Sequence, residues 1–170
     1  LQQCRRVEWR EESRRGMSVW GDLREAVREK VEQHRNRSFM EAAMAAAAMV
    51  AAANGTVSFA ERIALDSLLE SCRDLRIFEP HEAVDFFNER VADILENGED
   101  GRKACLDCIA ELSDEPDHAD LVVRVALALS GADGDYSDAE LIQVIAICDR
   151  LKLDPQHFAG NMASRGGLLS

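Results

Sequence analysis

Aromatic residues are scarce in this chain. They make up 5% of it, as six Phe, two Trp and one Tyr, so a core must be built from Ala, Leu, Ile, Val and Met. Three prolines and ten glycines are few for 170 residues, and so small a supply of helix breakers favours helices over strands. No apolar run is long enough for a bilayer. The longest, residues 42–53, is mostly alanine and falls short of the ~20 residues that a membrane-spanning helix needs. No apolar stretch follows the basic N-terminus, which argues against a signal peptide. Positive charge is also lacking: 20 Lys and Arg stand against 32 Asp and Glu, a net charge of −12. Such a chain repels phosphate backbones and anionic lipid surfaces, so neither nucleic-acid binding nor direct membrane insertion is expected. Five cysteines, an odd number, suit reduced thiols in the cytoplasm better than a disulfide framework.

What is there points to an all-α domain. The length fits one core. Residues 1–16, rich in Arg and Glu and closed by Gly16, read as an N-terminal extension or artefact, a mobile arm ahead of a single domain over 17–170. Seven to eight helices are expected in that domain. The first covers 19–34. A second covers 38–53, with Ser38 as its cap and Glu41 closing a capping box. This second helix is apolar all round and should be the buried centre. Ser58 caps a third, with Leu65, Leu68, Leu69, Cys72 and Leu75 inward. Pro80 opens a fourth, carrying Ala83, Phe86, Phe87, Val91, Ile94 and Leu95 and stopped by Asn97-Gly98. A fifth carries Cys105, Cys108, Ile109 and Leu112. Pro116 opens a sixth, with Leu121, Val122, Val125 and Leu129 inward. Ser137 caps a seventh, with Leu141, Val144, Ile145, Cys148 and Leu151 inward. A short helix follows Asp154-Pro155.

Two segments repeat. Ala53-Asn54-Gly55-Thr56-Val57-Ser58-Phe59-Ala60-Glu61 matches Ala132-Asp133-Gly134-Asp135-Tyr136-Ser137-Asp138-Ala139-Glu140. Each follows an apolar helix and precedes an amphipathic one. Each unit ends in Leu-x-aliphatic and an acidic-Pro pair: Leu75-Arg76-Ile77 with Glu79-Pro80, and Leu151-Lys152-Leu153 with Asp154-Pro155. A duplicated helix–loop–helix unit about a pseudo-twofold axis is the expected architecture.

This buried Ala-rich helix, followed by A-[DN]-G-x-x-S-x-x-E and an amphipathic helix ending in L-x-[IL], and occurring twice, resembles the tellurite-resistance TerB-like family over residues 38–158. The resemblance implies an all-helical fold, a link to tellurite resistance and stress responses, and no catalytic activity. It also implies metal binding by the acidic motif, here Asn54, Glu61, Asp133 and Glu140. Asn54 departs from the family pattern, which favours Asp at that place, and so removes a charge from one of two symmetric loops. TerB-like modules also stand beside J-domains in membrane-anchored co-chaperones. That gives the alternative: a helical adaptor that docks a protein partner and holds no metal.

Local structure alone accounts for the motif. Ser58-x-x-Glu61 and Ser137-x-x-Glu140 are capping boxes, and Asn54-Gly55 and Asp133-Gly134 sit where a helix needs a left-handed stop. Charge density adds the cation reading. Asp133, Asp135, Asp138 and Glu140 lie close in sequence, with Asp114, Glu115, Asp117 and Asp120 upstream and free to approach. Crowded carboxylates repel unless solvated, protonated or bridged. Oxygen-only ligands at Asn54, Glu61, Asp133, Asp135 and Glu140 suit a divalent cation such as Ca²⁺, Mg²⁺ or Mn²⁺. An EF-hand does not fit: with Gly134 at loop position 6, positions 1 and 3 fall on Leu129 and Gly131. Cys105-x-x-Cys108 lacks the second pair that zinc needs, and both sulfurs belong to an apolar stripe. The four histidines share no ligand spacing. No nucleophile–His–acid set and no phosphate-binding glycine loop is present, so an enzyme is not expected.

Overall fold

The computed structural model describes residues 34–72, 75 and 78–160, with positions 25, 26 and 32. The chain divides into two units, Leu1–Asn36 and Arg37–Ser170. The described positions of the first unit are helical. The rest of the helix expected over 19–34, and the boundary expected after residue 16, lie outside the described residues.

Among the described residues there is no strand. The second unit holds α1 (residues 37–51), α2 (Phe59–Ser71), α3 (Pro80–Asn97), α4 (Glu99–Ala110), α5 (Pro116–Ser130) and α6 (Asp138–Arg150), then a 3₁₀ turn, Pro155–Phe158. The all-helical class is as the composition predicts; the described residues of this unit hold six α-helices and the 3₁₀ turn, where seven to eight helices are expected over 17–170, the first of them, over 19–34, largely outside the described residues. Ser38 is not a cap. It lies inside α1, where no Gly or Pro interrupts the helix, and Glu41 pairs instead with Arg37 one turn back at 3.0 Å.

From Phe39 to Ala52, every residue except Glu41 is buried. An amphipathic helix offers one stripe to a core, whereas α1 is enclosed on all sides. Alanine suits that position because it has no rotamers to lose and lets neighbouring backbones come close. Its counterpart in the second repeat, α5, buries Val122, Val123, Val125, Ala126, Leu127 and Leu129. Here larger side chains fill the same kind of space. α2 and α6 both pack on α5, α4 packs on α3 and α6, and the 3₁₀ turn packs on α6.

The helix ends follow local chemistry. Pro80 and Pro116 occupy first-turn positions, where the missing N–H costs nothing. Asp154 accepts from Gln156 N at 2.9 Å to start the 3₁₀ turn. Gly98 alone joins α3 to α4. Gly101, in the first turn of α4, is buried against α3: a Cβ there would stand 2.5 Å from the Asp93 carbonyl oxygen and 2.8 Å from Ile94 Cα.

Two inward assignments need correction. On α6 the buried side is Glu140, Val144, Ile147 and Cys148, continued by Leu151. Ile145, expected inside, is exposed. On α3, Leu95 is likewise exposed while Ala83, Phe87, Val91 and Ile94 are buried. In α6 the buried Glu140 sets the stripe, and a polar residue is invisible to an apolar periodicity.

Candidate functional site

The two repeat loops are built by the same hydrogen bonds. After α1, Ala53 N donates to Val50 O at 3.1 Å and Gly55 N to Ala52 O at 3.0 Å. After α5, Ala132 N donates to Leu129 O at 3.0 Å and Gly134 N to Gly131 O at 3.2 Å. Gly55 and Gly134 then take φ of +82° and +99°, a region in which a side chain is strained. The chain turns there and enters the next helix through a capping box. Ser58 Oγ accepts from Glu61 N at 3.1 Å, and Ser58 N donates to Glu61 Oε2 at 2.6 Å. Ser137 Oγ accepts from Glu140 N at 3.2 Å, and Ser137 N donates to Glu140 Oε2 at 2.9 Å. Both boxes are complete, as the sequence predicts.

The loops also meet each other, and the contact is reciprocal. Asn54 of the first loop reaches the cap of α6: its Nδ2 donates to Ser137 Oγ at 3.3 Å and to Glu140 Oε1 at 3.4 Å, and its Oδ1 lies 3.4 Å from Ser137 Oγ. Asp133 of the second loop reaches the cap of α2, accepting from Ser58 Oγ at 3.3 Å. Exchanging the repeats maps one contact onto the other, which is the signature of the expected pseudo-twofold. These cross-loop bonds are long beside those of the caps, so the caps are the firmer part.

Glu61 and Glu140 are 3% and 4% exposed. Burial pushes the Glu61 carboxyl above its ordinary value of 4.5, against the Ser58 hydrogen bonds, which pull it down; the negative charges of Glu140 and Asp133 push it further up. Among the described residues, no basic side chain forms an ion pair with Glu61, Asp133 or Glu140. Asn54 breaks the symmetry at this point. Its amide offers Glu140 a donor, whereas Asp133 adds a charge beside Glu61.

Four of the five residues singled out from the sequence, Asn54, Glu61, Asp133 and Glu140, therefore come together at one junction. The fifth, Asp135, is exposed at the loop tip, as is its first-repeat counterpart Thr56. Among the described residues, no group of three or more His, Cys, Asp or Glu side chains is arranged to hold a metal ion. The donor set is oxygen-only and so fits a hard cation by chemistry, but its carboxylates are spent on caps and cross-loop bonds. The upstream acids go elsewhere. Glu115 meets His118 at 2.9 Å, Asp120 meets Arg124 at 2.5 Å and His157 at 3.9 Å, and Asp114 meets Lys152 at 3.4 Å. Ser58 and Ser137 were legible only as caps, and their second role as bridges between loops depends on a contact between distant parts of the chain.

The thiols are shielded. Cys105 is buried and Cys108 half-buried. Desolvation raises them to about 11 and about 12, with Glu41 and Glu111 adding to the rise at Cys108. Thiols held so high are poor nucleophiles, and they pack as the apolar stripe predicts.

No solved structure matches this chain. The family model for the tellurite resistance protein TerB matches residues 40–163. Among curated proteins, the tellurium resistance protein TerB of Alcaligenes sp is 31% identical over 104 residues, covering 61% of this chain and 85% of the relative. The matched span contains both loops and both capping boxes, so the chain belongs to the TerB tellurite-resistance family.

Proposed function

We propose that this TerB-family domain is a non-enzymatic, cytoplasmic stress-response module of the tellurium-resistance kind, and that one divalent cation engages the junction of its two loops. The observation that carries this reading is the pair Glu61 and Glu140, buried beside Asp133 with no described basic partner. Three carboxylates in such a place repel one another, and a cation relieves that repulsion. Asn54, Glu61, Asp133 and Glu140 supply the oxygens, and Asp135 stands at the loop tip as an outer candidate. Such donors favour Ca²⁺, Mg²⁺ or Mn²⁺. Two loops then make one site rather than two. Binding would draw the carboxylates out of the long cross-loop bonds first, since the capping bonds are shorter.

The test is thermal unfolding after chelation, repeated with Ca²⁺, Mg²⁺ and Mn²⁺ in turn. A ligand specific to the folded state adds RT ln(1 + [L]/Kd), or ~2.7 kcal/mol at ~100-fold excess over Kd. Glu61→Gln with Glu140→Gln keeps both capping boxes, because Gln also serves there, and removes both charges. A saturable rise for one cation, lost in this double variant, is the expected outcome. No rise at millimolar metal would leave the junction as helix capping, and the domain as an adaptor with no metal.

A further inference from the structure

Among the described residues, four of the five large apolar side chains left exposed fall on just two helices, α2 and α6. These helices are equivalent in the repeat. At 100° per residue, positions i, i+4, i+7 and i+11 share a face. On α2, the face opposite Glu61, Leu65 and Leu69 reads Phe59, Ile63, Asp66, Glu70. On α6, the face opposite Glu140, Val144 and Cys148 reads Asp138, Ile142, Ile145, Asp149. Counted from the capping serine, these are the same four places. Each face presents two large apolar groups and two acids. The apolar groups are well exposed: Phe59 79%, Ile63 50%, Ile142 61% and Ile145 46%. Single exposed apolar residues need no explanation. The same composition on the same face of both repeats, with Ile63 matched by Ile142 and the acid Glu70 by Asp149, is harder to assign to chance.

We propose that the outward faces of α2 and α6 are two equivalent docking sites for basic amphipathic helices of a partner protein. The apolar pair would seat the partner's apolar stripe, and the acids would meet Lys or Arg beside it. A second copy of this chain is a poor occupant, since it would set acid against acid across the contact. Anionic lipid fails for the same reason. Arg62 lies on the flank of α2 and is the nearest base on that helix. The α2 face also runs to a recess of ≈ 630 Å³ floored by Leu69, Leu75, Phe78 and Val84, with Asp66 and Glu70 at its rim. α2 thus offers the deeper seat. This inference is independent of the cation reading, because none of its residues belongs to the loop junction.

The probe is a short fluorescent amphipathic peptide with a Leu stripe and Lys on either side, titrated into the full chain at physiological salt. Its controls are a scrambled peptide and one with Glu in place of Lys. The expected result is saturable binding of the amphipathic Lys peptide alone. Phe59→Gln with Ile63→Gln, and separately Ile142→Gln with Ile145→Gln, should each weaken binding roughly tenfold or more at its own face. Leu95→Gln, which removes an exposed apolar group on α3, should leave it unchanged. Absence of binding overturns the proposal. So does equal binding by all variants, which would mean attraction to net charge alone. Self-association of the wild type, lost in the apolar variants by sedimentation, would also overturn it and make these faces an interface between copies.

Discussion

The two repeats carry one loop on two differently built helices. α1 is packed with alanine where α5 uses larger groups: Ala43 stands at the place of Val122, Ala46 at that of Val125 and Ala48 at that of Leu127. Even so, the turn after each helix closes with the same bonds, to within 0.1 Å for Ala53 and Ala132. The loop is therefore set by its own Gly and Ser-x-x-Glu and not by the bulk of the helix that feeds it. In the contact between the loops, the repeats differ in one group, the amide of Asn54 against the carboxylate of Asp133.

The largest expected effects lie in the helices. Leu129→Ala should lower stability by about 2–5 kcal/mol, through lost burial and an unfilled cavity. Ala48→Leu, which gives α1 the residue that α5 has at its equivalent place, should cost about 1–3 kcal/mol by overpacking. Urea midpoints with unchanged slopes measure both. A neutral Ala48→Leu would break the comparison, because α1 would then have room to spare.

Next come the caps. Ser58→Ala and Ser137→Ala should each cost about 0.5–2 kcal/mol, and by similar amounts. A clearly larger loss at Ser58 would show that its bond to Asp133 adds to the cap. Making the loops alike by Asn54→Asp should cost the low end of about 0.5–1.5 kcal/mol under chelation, since Glu140 loses a donor and gains a like charge. The same change should enlarge any stabilisation by a cation. A variant more stable than wild type in chelator would contradict the account of Asn54.

The smallest effect is in pH dependence. The Glu61 carboxyl is raised in the folded state, so the folded protein holds this proton more tightly than the unfolded chain. Its contribution to stability is then greatest at low pH and declines as pH rises from 4.5 through the raised value. Glu61→Gln removes that decline. The melting temperature of the variant, relative to wild type, should climb over this interval in chelator and stay level below it. A flat difference would mean that burial and the neighbouring acids do not raise Glu61 in the folded protein.

Local signals carried most of the fold. The capping serines, the first-turn prolines, the left-handed glycines and the all-apolar α1 each follow from a residue and its near neighbours, and each stands where the sequence predicts. Failures arose where polar side chains decided the outcome. Ser38 reads as a cap until Arg37 pairs with Glu41 inside a helix. Ile145 reads as core until the buried Glu140 and Ile147 turn the inward side of α6 away from it. At the junction, each half was legible from the motif, but the reach of Asn54 to Ser137 and Glu140 was not. Nor was the diversion of Asp114 to Lys152 or of Asp120 to His157, which rests on tertiary placement, whereas the Glu115–His118 and Asp120–Arg124 pairs are three and four residues apart.

Gly101 has a consequence for how the fold can vary. With its Cα against the Asp93 carbonyl, α4 rests backbone to backbone on α3, and a single residue, Gly98, spans the bend. The pair behaves as a hinge welded at a fixed angle. A relative that gains any side chain at this place must open the angle, and α4 would carry Cys105 and Ile109 out of the core with it. The bend is thus held fast by the absence of a side chain at one position, Gly101.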